Sequence, residues 1–222
     1  IYFESPDAEA KLDVTLSNVV ESPCFTGEWL GERNAPGLWA DLVGKNVMIT
    51  MPSSSIKNVD DPSDVLAFWD SVVAAHHRLR TTDVNTHRKQ WIVCDAQAVV
   101  GYMHAGYPIV THMDVADPSR DIFLLNLAKL KDEGNWGLYH ELGHNMQRQE
   151  WTFSGTSEVT VNVFTLHAMD IVNGVKPWIH PWLQNSMDAI KRYLKAGADF
   201  SAWKKDPGIA LGIYAQIAHH LG

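Results

Sequence analysis

The chain has 222 residues, of which 45% are hydrophobic and 20% charged, and its formal net charge is −8. This balance is typical of a globular protein with one large domain or two small ones. The negative charge argues against a nucleic-acid partner, which requires clustered Lys and Arg, and no apolar run approaches the ~18 residues that span a bilayer.

The first part of the chain is predicted to be rich in β-structure. Residues 1–25 are predicted to form strands, because residues 11–20 within them alternate apolar and polar side chains with the period of a half-buried strand. Residues 26–41 are rich in Gly, Pro and Trp and are predicted to form a loop with a short turn. Residues 43–51 are predicted to be another strand, closed by Pro52. Cys24 and Cys94 are too few for a disulfide scaffold, although they could form one bridge.

A polar linker then leads to a predicted helix at residues 64–79, with Asp61 or Ser63 as its cap. Its apolar residues recur at helical spacing along one side. His76 and His77 lie near its end. Adjacent residues point about 100° apart on a helix, so these two cannot easily share a metal ion. We therefore interpret them as part of an ordinary helix end, where histidines suit the negative end of the dipole.

The central segments alternate between strands and helices. Residues 90–100 contain a short buried strand, and residues 101–114 carry the Gly and Pro of an irregular or edge strand. Residues 121–132 are predicted to form an amphipathic helix, which Gly134 and Asn135 end. Near the end of the chain, residues 177–181 are predicted to be a loop, and residues 182–196 and 207–220 to be helices.

The residues with the clearest chemistry are His140-Glu141-Leu142-Gly143-His144, an H-E-x-x-H motif. On a helix, positions i and i+4 lie one turn apart on the same face, so the two imidazoles can bind one metal ion. Glu141 lies beside the first ligand and can act as a base toward water. The apolar residues before the motif give the helix a side to bury, and the polar run N-M-Q-R-Q after it suits a helix that leaves the core.

A catalytic zinc site also needs a third protein ligand and an open position. Glu158 opens a second helix-like run, predicted to extend to about residue 172 and to end at Asn173-Gly174. It is favoured over Glu150, which lies near the end of the first helix. Asn162, one turn after Glu158, could hydrogen-bond the far nitrogen of a liganding histidine and fix its tautomer. His167 lies off the Glu158 face and is interpreted as a packing or surface residue.

These motifs resemble the M60-like, enhancin-type metallopeptidases. The similarity rests on H-E-L-G-H-N-M-Q and G-T-S-E-V-T-V-N, and upstream on A-P-G-L-W-A-D-L, M-I-T-M-P and H-A-G-Y-P-I. Within the family, the chain is similar to the animal branch that includes the TRPM8 channel-associated factors. The resemblance implies zinc on His140, His144 and Glu158, with Glu141 as the catalytic glutamate.

The resemblance also implies an α+β, zincin-like fold of the gluzincin type. We expect a β-rich N-terminal portion at residues 1–52 and a mainly helical portion at residues 53–222 that carries the metal site, together one peptidase domain. In zincins an edge strand beside the metal helix binds the substrate backbone, which points to residues 101–114. His104, Tyr107 and His112 are candidates there for holding the oxyanion, although packing roles are equally compatible with their positions.

The expected function is zinc-dependent cleavage of peptide bonds in O-glycosylated, mucin-like proteins, by a chain that is part of a longer multidomain protein. The nine tryptophans are compatible with sugar stacking. The alternative is a non-catalytic regulatory or protein-binding module that retains a zinc site. A structural site would have four protein ligands and no need of Glu141, which disfavours this alternative. A carbohydrate-binding or toxin-like domain is a third reading, and its sugar binding would survive metal removal.

Overall fold

The structure is a computed structural model that describes residues 2–3, 9, 11–176 and 181–221. Within these residues, seven strands form one mixed sheet in the order β2-β1-β3-β4-β5-β7-β6. Their bounds are β1 Cys24–Phe25, β2 Trp29–Leu30, β3 Trp39–Val43, β4 Val47–Pro52, β5 Gln90–Asp95, β6 Met103–His104 and β7 Ile109–His112. Strands β4, β5 and β7 are parallel, and β6 pairs antiparallel with β7 at one edge. The sheet therefore includes strands from both sides of residue 52.

Seven α-helices accompany the sheet in the described residues. They are α1 Ser63–Arg80, α2 Leu127–Glu133, α3 Trp136–Met146, α4 Ser157–Asn173, α5 Pro181–Lys195, α6 Phe200–Trp203 and α7 Pro207–Leu221. Short 3₁₀ turns lie at Ser53–Ile56, Val84–Thr86, Met113–Ala116 and Gln149–Trp151. The part of the chain that the structure describes contains no helix that combines the length and apolar character needed to cross a bilayer.

The main core lies between the sheet and helices α1 and α3. Ile49 on β4, Ile92 on β5 and Trp69 on α1 are fully buried in it. Burial of each such side chain stabilises the fold by about 1.5–3 kcal/mol. The indole nitrogen of Trp69 donates a hydrogen bond of 3.1 Å to the Leu124 carbonyl, so the large ring is buried without an unpaired donor.

His76 ties α1 to the middle of α3. Its Nδ1 lies 2.8 Å from the Val72 carbonyl oxygen and its Nε2 lies 2.8 Å from the Tyr139 carbonyl oxygen. The ring also stacks on Phe164 of α4. Burial lowers the pKa of His76, against the opposing effect of the two carbonyls. The neutral tautomer that is protonated on Nε2 donates to the Tyr139 carbonyl, and in this state His76 links α1 to the residue that precedes His140.

Several elements differ from the sequence prediction. Residues 11–20 are not a strand: no strand of the described sheet pairs with them, and Leu12, Val14 and Leu16 are exposed. An alternating pattern cannot form a strand without a ladder partner. Residues 26–41 are more than a loop, because they include β2 and the start of β3. The cysteines form no bridge; both are free, and burial raises the pKa of the Cys94 thiol to about 12.

The helix predicted at residues 121–132 begins only at Leu127. Asn126 is its cap, and its side chain accepts a hydrogen bond of 3.2 Å from the Lys129 amide. The preceding Phe123 and Leu124 are buried from a turn, which explains why their apolar pattern looked helical. The short helix α6 was not predicted. Of the loop predicted at residues 177–181, residues 177–180 lie outside the described residues, and Pro181 begins α5.

The other predicted helices are present. The helix predicted at residues 64–79 is α1, but its N-cap is Pro62 rather than Asp61 or Ser63, and no side chain caps it. Asp61 instead accepts a hydrogen bond of 2.8 Å from the Ser63 amide in the turn before the helix. The helices predicted at residues 182–196 and 207–220 correspond to α5 and α7. Gly174 ends α4 in the left-handed conformation, as the Asn-Gly pair predicted.

We expect His76→Ala to lower the free energy of unfolding by about 3 kcal/mol, because it leaves a cavity and removes a buried hydrogen bond between α1 and α3. Urea denaturation measures this change. As a matched control, His112→Ala replaces an exposed histidine and should shift stability by no more than about 0.5 kcal/mol. Equal small effects of both substitutions would show that the His76 link does not stabilise the fold.

Candidate metal centre

Helix α3 carries the H-E-x-x-H motif, and its start is set by local sequence. Asn135 caps the helix, and its side chain accepts a hydrogen bond of 3.0 Å from the Leu138 amide. Leu138, Tyr139 and Leu142 are fully buried on the side that faces the core. Since this face must point inward, His140 and His144 are left on the opposite side, at its half-buried margin.

Gly143, inside the motif, allows α3 to lie close to α4. A Cβ atom at this position would lie 2.9 Å from the Val161 carbonyl oxygen and 2.9 Å from its Cγ2 atom. Real Cβ atoms do not approach backbone so closely, and the carbonyl cannot move away without distorting α4. A side chain at residue 143 would therefore push apart the two helices that carry the histidines and Glu158.

The side chains of His140, His144 and Glu158 meet between the two helices. The two Nε2 atoms lie 3.1 Å apart. Oε2 of Glu158 lies 3.2 Å from Nε2 of His140, and its Oε1 lies 3.5 Å from Nε2 of His144. All three ligand atoms lie within 4.8 Å of one another. This is the group of metal-ligating side chains that the described part of the chain brings together.

This donor set fits a divalent metal ion. Ligands that bind zinc at about 2.0–2.1 Å in a tetrahedron are separated from one another by about 3.3 Å. The two imidazole nitrogens lie 3.1 Å apart, and each lies 3.2 to 3.5 Å from a different oxygen of the Glu158 carboxylate, which is close to this value. Two imidazole nitrogens with a carboxylate suit zinc and other divalent transition metals. The Glu158 side chain is 62% exposed, so solvent reaches the site from its side.

Asn162 connects two of the three ligand residues. Its Nδ2 donates a hydrogen bond of 2.8 Å to the Glu158 carbonyl, which leaves Oδ1 facing Nδ1 of His140 at 2.8 Å. Because an amide oxygen only accepts, His140 must carry its proton on Nδ1. Its Nε2 lone pair then points to the ligand cluster. A metal-binding histidine needs this tautomer.

Glu141 occupies a distinct place beside this cluster. It follows His140 directly and is only 9% exposed. Within the described residues, its carboxylate has no hydrogen-bond or ion-pair partner. Its two carboxylate oxygens retain contact with solvent, so they can hydrogen-bond water. This position, rather than a ligand role, distinguishes Glu141 from the other three residues.

Two residues of the polar run after the motif hold the site together, and sequence reasoning missed both. Gln147 donates hydrogen bonds of 2.6 Å to the Ser157 carbonyl and 3.0 Å to Thr160 Oγ1, which ties the end of α3 to the start of α4. Asn145 pairs with Gly106 in both directions, at 3.1 and 2.9 Å. No periodicity could reveal these contacts, since both are long-range and polar.

The Asn145 contact places the edge strand β6 along α3. At the other end of α3, a Cβ at Gly137 would lie 2.6 Å from Sδ of Met103, so the two elements are also close there. His104 lies on β6 between these two points, and its Nδ1 lies 2.9 Å from the Ala105 carbonyl. Of the three oxyanion candidates, His104 is therefore beside the α3 segment that carries His140 and His144.

The other two oxyanion candidates make contacts elsewhere. Tyr107 packs edge-on against Trp91 and lies beneath the Arg88 guanidinium, which is 3.4 Å from the ring centre. His112 stacks on Tyr102, and its Nδ1 lies 3.9 Å from Asp114. The structure does not bring these two side chains together with the ligand cluster.

Four further side chains considered in the sequence, those of His76, His77, His167 and Glu150, lie outside the cluster. His76 and His77 are buried in α1; Nδ1 of His77 hydrogen-bonds Thr82 Oγ1 at 2.8 Å, and burial lowers the pKa of this histidine to about 4. His167 is half-buried on α4, with an Nε2 atom that has no partner among the described residues. Glu150 lies exposed in a 3₁₀ turn.

Comparison with known proteins identifies the family. A family model described as peptidase M60, enhancin and enhancin-like, matches residues 26–222. The chain belongs to the peptidase M60 family. Membership implies a metal ion, and the cluster of His140, His144 and Glu158 is a group that could hold one.

Curated relatives of this M60 chain include channel-associated proteins of vertebrates. TRPM8 channel-associated factor 2 of Mus musculus is 33% identical over 223 residues, covering 95% of this chain and 23% of the relative. A TRPM8 channel-associated factor homolog of Danio rerio is 33% identical over 236 residues, covering 100% of this chain and 25% of the relative. The chain thus spans about a quarter of the length of these relatives.

Solved structures share the mixed α/β fold. A functionally unknown conserved protein from Bacillus anthracis has a TM-score of 0.64 at 23% identity, covering 81% of this chain and 37% of that chain. A metallopeptidase from Bacteroides thetaiotaomicron has a TM-score of 0.52 at 16% identity, covering 62% and 23%. IMPa from Pseudomonas aeruginosa, in complex with an O-glycopeptide, has a TM-score of 0.51 at 16% identity, covering 84% and 25%. At these identities the likeness is one of fold.

The two glutamates near the motif allow a sharp test of the ligand set. We expect Glu158→Gln to weaken zinc binding by at least roughly tenfold, because it removes a charged ligand. Glu150→Gln, eight residues earlier, should leave the affinity unchanged. Competition with a chromophoric zinc chelator measures both constants. If Glu150→Gln weakens binding and Glu158→Gln does not, the third ligand has been assigned to the wrong residue.

Proposed function

We propose that this M60 chain is a zinc-dependent endopeptidase of the gluzincin type, with His140, His144 and Glu158 as metal ligands and Glu141 as the general base. The observation that carries this proposal is the convergence of the three ligand atoms, with Glu141 directly after the first ligand residue and without a protein partner among the described residues. A set of three protein ligands leaves a position for water or substrate, which is the pattern of a catalytic site rather than of a structural one.

A zinc ion held there would supply Lewis-acid chemistry, polarising the scissile carbonyl and making water more acidic. Glu141 takes a proton from the attacking water and later delivers it to the leaving amine. Asn162 keeps the His140 proton on Nδ1, so that Nε2 remains a ligand. In this proposal His104 donates to the oxyanion that forms on the scissile carbonyl, a role that its position on β6 beside α3 supports.

The edge strand β6 gives a peptide substrate its place. It is antiparallel to β7 and is the last strand of the described sheet. An extended peptide can add to such an edge through main-chain hydrogen bonds. Asn145 and the close approach at Gly137 hold β6 against α3, so a peptide on β6 would pass the metal ligands.

For the substrate, we propose O-glycosylated, mucin-like proteins. The support is indirect: a protein of similar fold binds an O-glycopeptide. Trp39 and Trp151 are exposed enough to stack on a sugar ring. In this proposal the chain acts as the peptidase part of a longer multidomain protein, since the relatives are about four times as long.

A second candidate is a non-catalytic module that regulates a partner protein and retains the zinc site. The names of the vertebrate relatives, channel-associated factors, favour it. Such a module would have no use for Glu141, whereas the metal ligands would still matter for folding. The two candidates therefore differ in what a change at residue 141 does.

Glu141→Gln separates the two functions. We expect it to lower the cleavage rate of an O-glycosylated mucin by about 10²- to 10⁴-fold, since the general base is lost, with zinc still bound at one equivalent. The measurement compares wild type and variant at equal zinc content. Cleavage that is unchanged by Glu141→Gln would remove the proposed role of this residue, and an inactive, zinc-loaded wild type would favour the regulatory module.

A further inference from the structure

A second polar pocket lies at the end of α3, away from the three ligand side chains. Arg80, His87 and Arg88 line one side of it, and Tyr107 and Asn145 lie on the other. Its volume is about 320 Å³, which is enough space for one acidic side chain or part of a sugar. The net charge of the whole chain is −8, so three basic residues around one pocket are a local exception.

The pocket offers mainly donors to a ligand. Oδ1 of Asn145 accepts from the Gly106 amide, and its Nδ2 donates to both the Gly106 carbonyl and Oε1 of Gln90. Each of the two amide oxygens therefore already accepts one hydrogen bond. The guanidinium of Arg80 and the Nε2 group of Gln90 remain as donors, while the Tyr107 hydroxyl can donate or accept. The positive charge of the guanidinium favours an anion as the ligand.

The charge of Arg80 is not compensated by the protein. Within the described residues, its guanidinium has no carboxylate partner, and its contact with Met146 is a weak one, 3.8 Å from Nη1 to Sδ. Its Nε is buried without an acceptor. Burial lowers the pKa of Arg80, and the nearby Arg148 lowers it further. A half-buried guanidinium with an enclosed Nε–H and a second cation nearby is stabilised when an anion joins it.

Asp83, an acidic residue three positions after Arg80, has other partners. Asp83 interacts through its charge with His77 and His87. Its carboxylate accepts one hydrogen bond of 2.9 Å from the Asn85 backbone amide and another of 2.9 Å from the Asn85 side chain. It is not among the residues that line the pocket. Arg88 is held over the Tyr107 ring, which fixes the second guanidinium at the pocket wall.

The pocket is continuous with the place proposed for the substrate. Asn145 follows His144 directly, and Gly106, at the rim, lies two residues after His104 on β6. We propose that this pocket is a subsite for an oxyanion group that the substrate carries close to the cleaved bond, with Arg80 as its main contact. This inference rests on the proposed peptidase function. The group is a carboxylate of an acidic side chain or of an acidic sugar, two sources of the same chemistry.

Direct binding tests the subsite without relying on catalysis. The probes are sodium sulfate and N-acetylneuraminic acid, added at constant ionic strength, and the observed signals are the Arg80 Nε–H and the Gln90 side-chain amide in nitrogen-resolved NMR spectra. We expect saturable shifts in wild type. Arg80→Gln should weaken binding by roughly tenfold or more, because a charge-assisted pair is lost. Absence of saturable shifts would overturn the subsite.

Two variants make this result specific. Arg78→Gln removes the same charge from the same helix, but residue 78 is exposed and does not line the pocket. It should leave binding unchanged; an equal loss would mean that only overall charge matters, and would overturn the subsite. Arg80→Lys keeps the charge without the planar fork and should recover part of the affinity. It also shows that the loss in Arg80→Gln is not caused by misfolding.

Cleavage then identifies the source of the anion. The substrates are a sialylated mucin, the same mucin after sialidase treatment, and the treated mucin with its carboxyl groups amidated. If Arg80→Gln raises KM roughly tenfold for the sialylated mucin but not for the two treated mucins, the anion belongs to an acidic sugar. If Arg80→Gln raises KM for both the sialylated and the sialidase-treated mucin but not for the amidated one, the anion belongs to an acidic side chain. Equal effects on all three would overturn the subsite while the peptidase stands. If the wild-type protein cleaves none of the three substrates, the proposed peptidase function is wrong, and the NMR titration alone then tests the anion subsite.

Discussion

The close packing of α3 on α4 is the constraint on which the site depends. The histidines come from one helix and Glu158 from the other, so the ligand atoms meet only when the helix axes are near each other. Gly143 permits this approach at the Val161 carbonyl, and Gln147 fixes the turn that separates the helices. His76 adds a third contact, from α1 to the Tyr139 carbonyl. A small residue inside the motif is therefore as much a part of the centre as its ligands.

The same helix also organises the surface around the site. Asn145 joins the end of α3 to the turn after β6, and through Gln90 to the start of β5. The Asn145 side chain therefore connects the helix that carries the two histidines to the edge strand β6 and to the basic pocket. If a peptide lies on β6, its backbone is placed by the strand, its cleaved bond by the ligand cluster, and an acidic group by Arg80. Each of these contacts belongs to a rigid element, which favours precise positioning.

Membership of the peptidase M60 family and the mixed fold agree with this arrangement. A metal ion bound by the three side chains would hold α3 and α4 together and stabilise the domain whether or not Glu141 acts on a substrate, because binding of an ion contributes to folding. The proposed activity would depend on a smaller set of features: an intact base, an open metal position and a free strand edge.

How much of this could be predicted from the sequence differs from residue to residue. His140, His144 and Glu158 were predicted because helical spacing and donor chemistry are local, and α1, α3 and α4 have clear periodicity and caps. Residues 11–20 were predicted wrongly as a strand, since their alternation says nothing about whether a partner strand is near. Asn145, Gln147 and Arg80 were not found at all. Their importance arises from contacts with residues distant in sequence, which a single polar residue in a helix does not signal.

The most direct test of the central claim is zinc K-edge X-ray absorption of the protein loaded with one equivalent of zinc, compared with His144→Ala. We expect two imidazole nitrogens, one or two oxygens of a carboxylate and one solvent oxygen around the ion in the intact protein, and loss of one imidazole in the variant. A shell that contains sulfur, four protein ligands without solvent, or a spectrum unchanged by His144→Ala would contradict the proposed three-ligand centre.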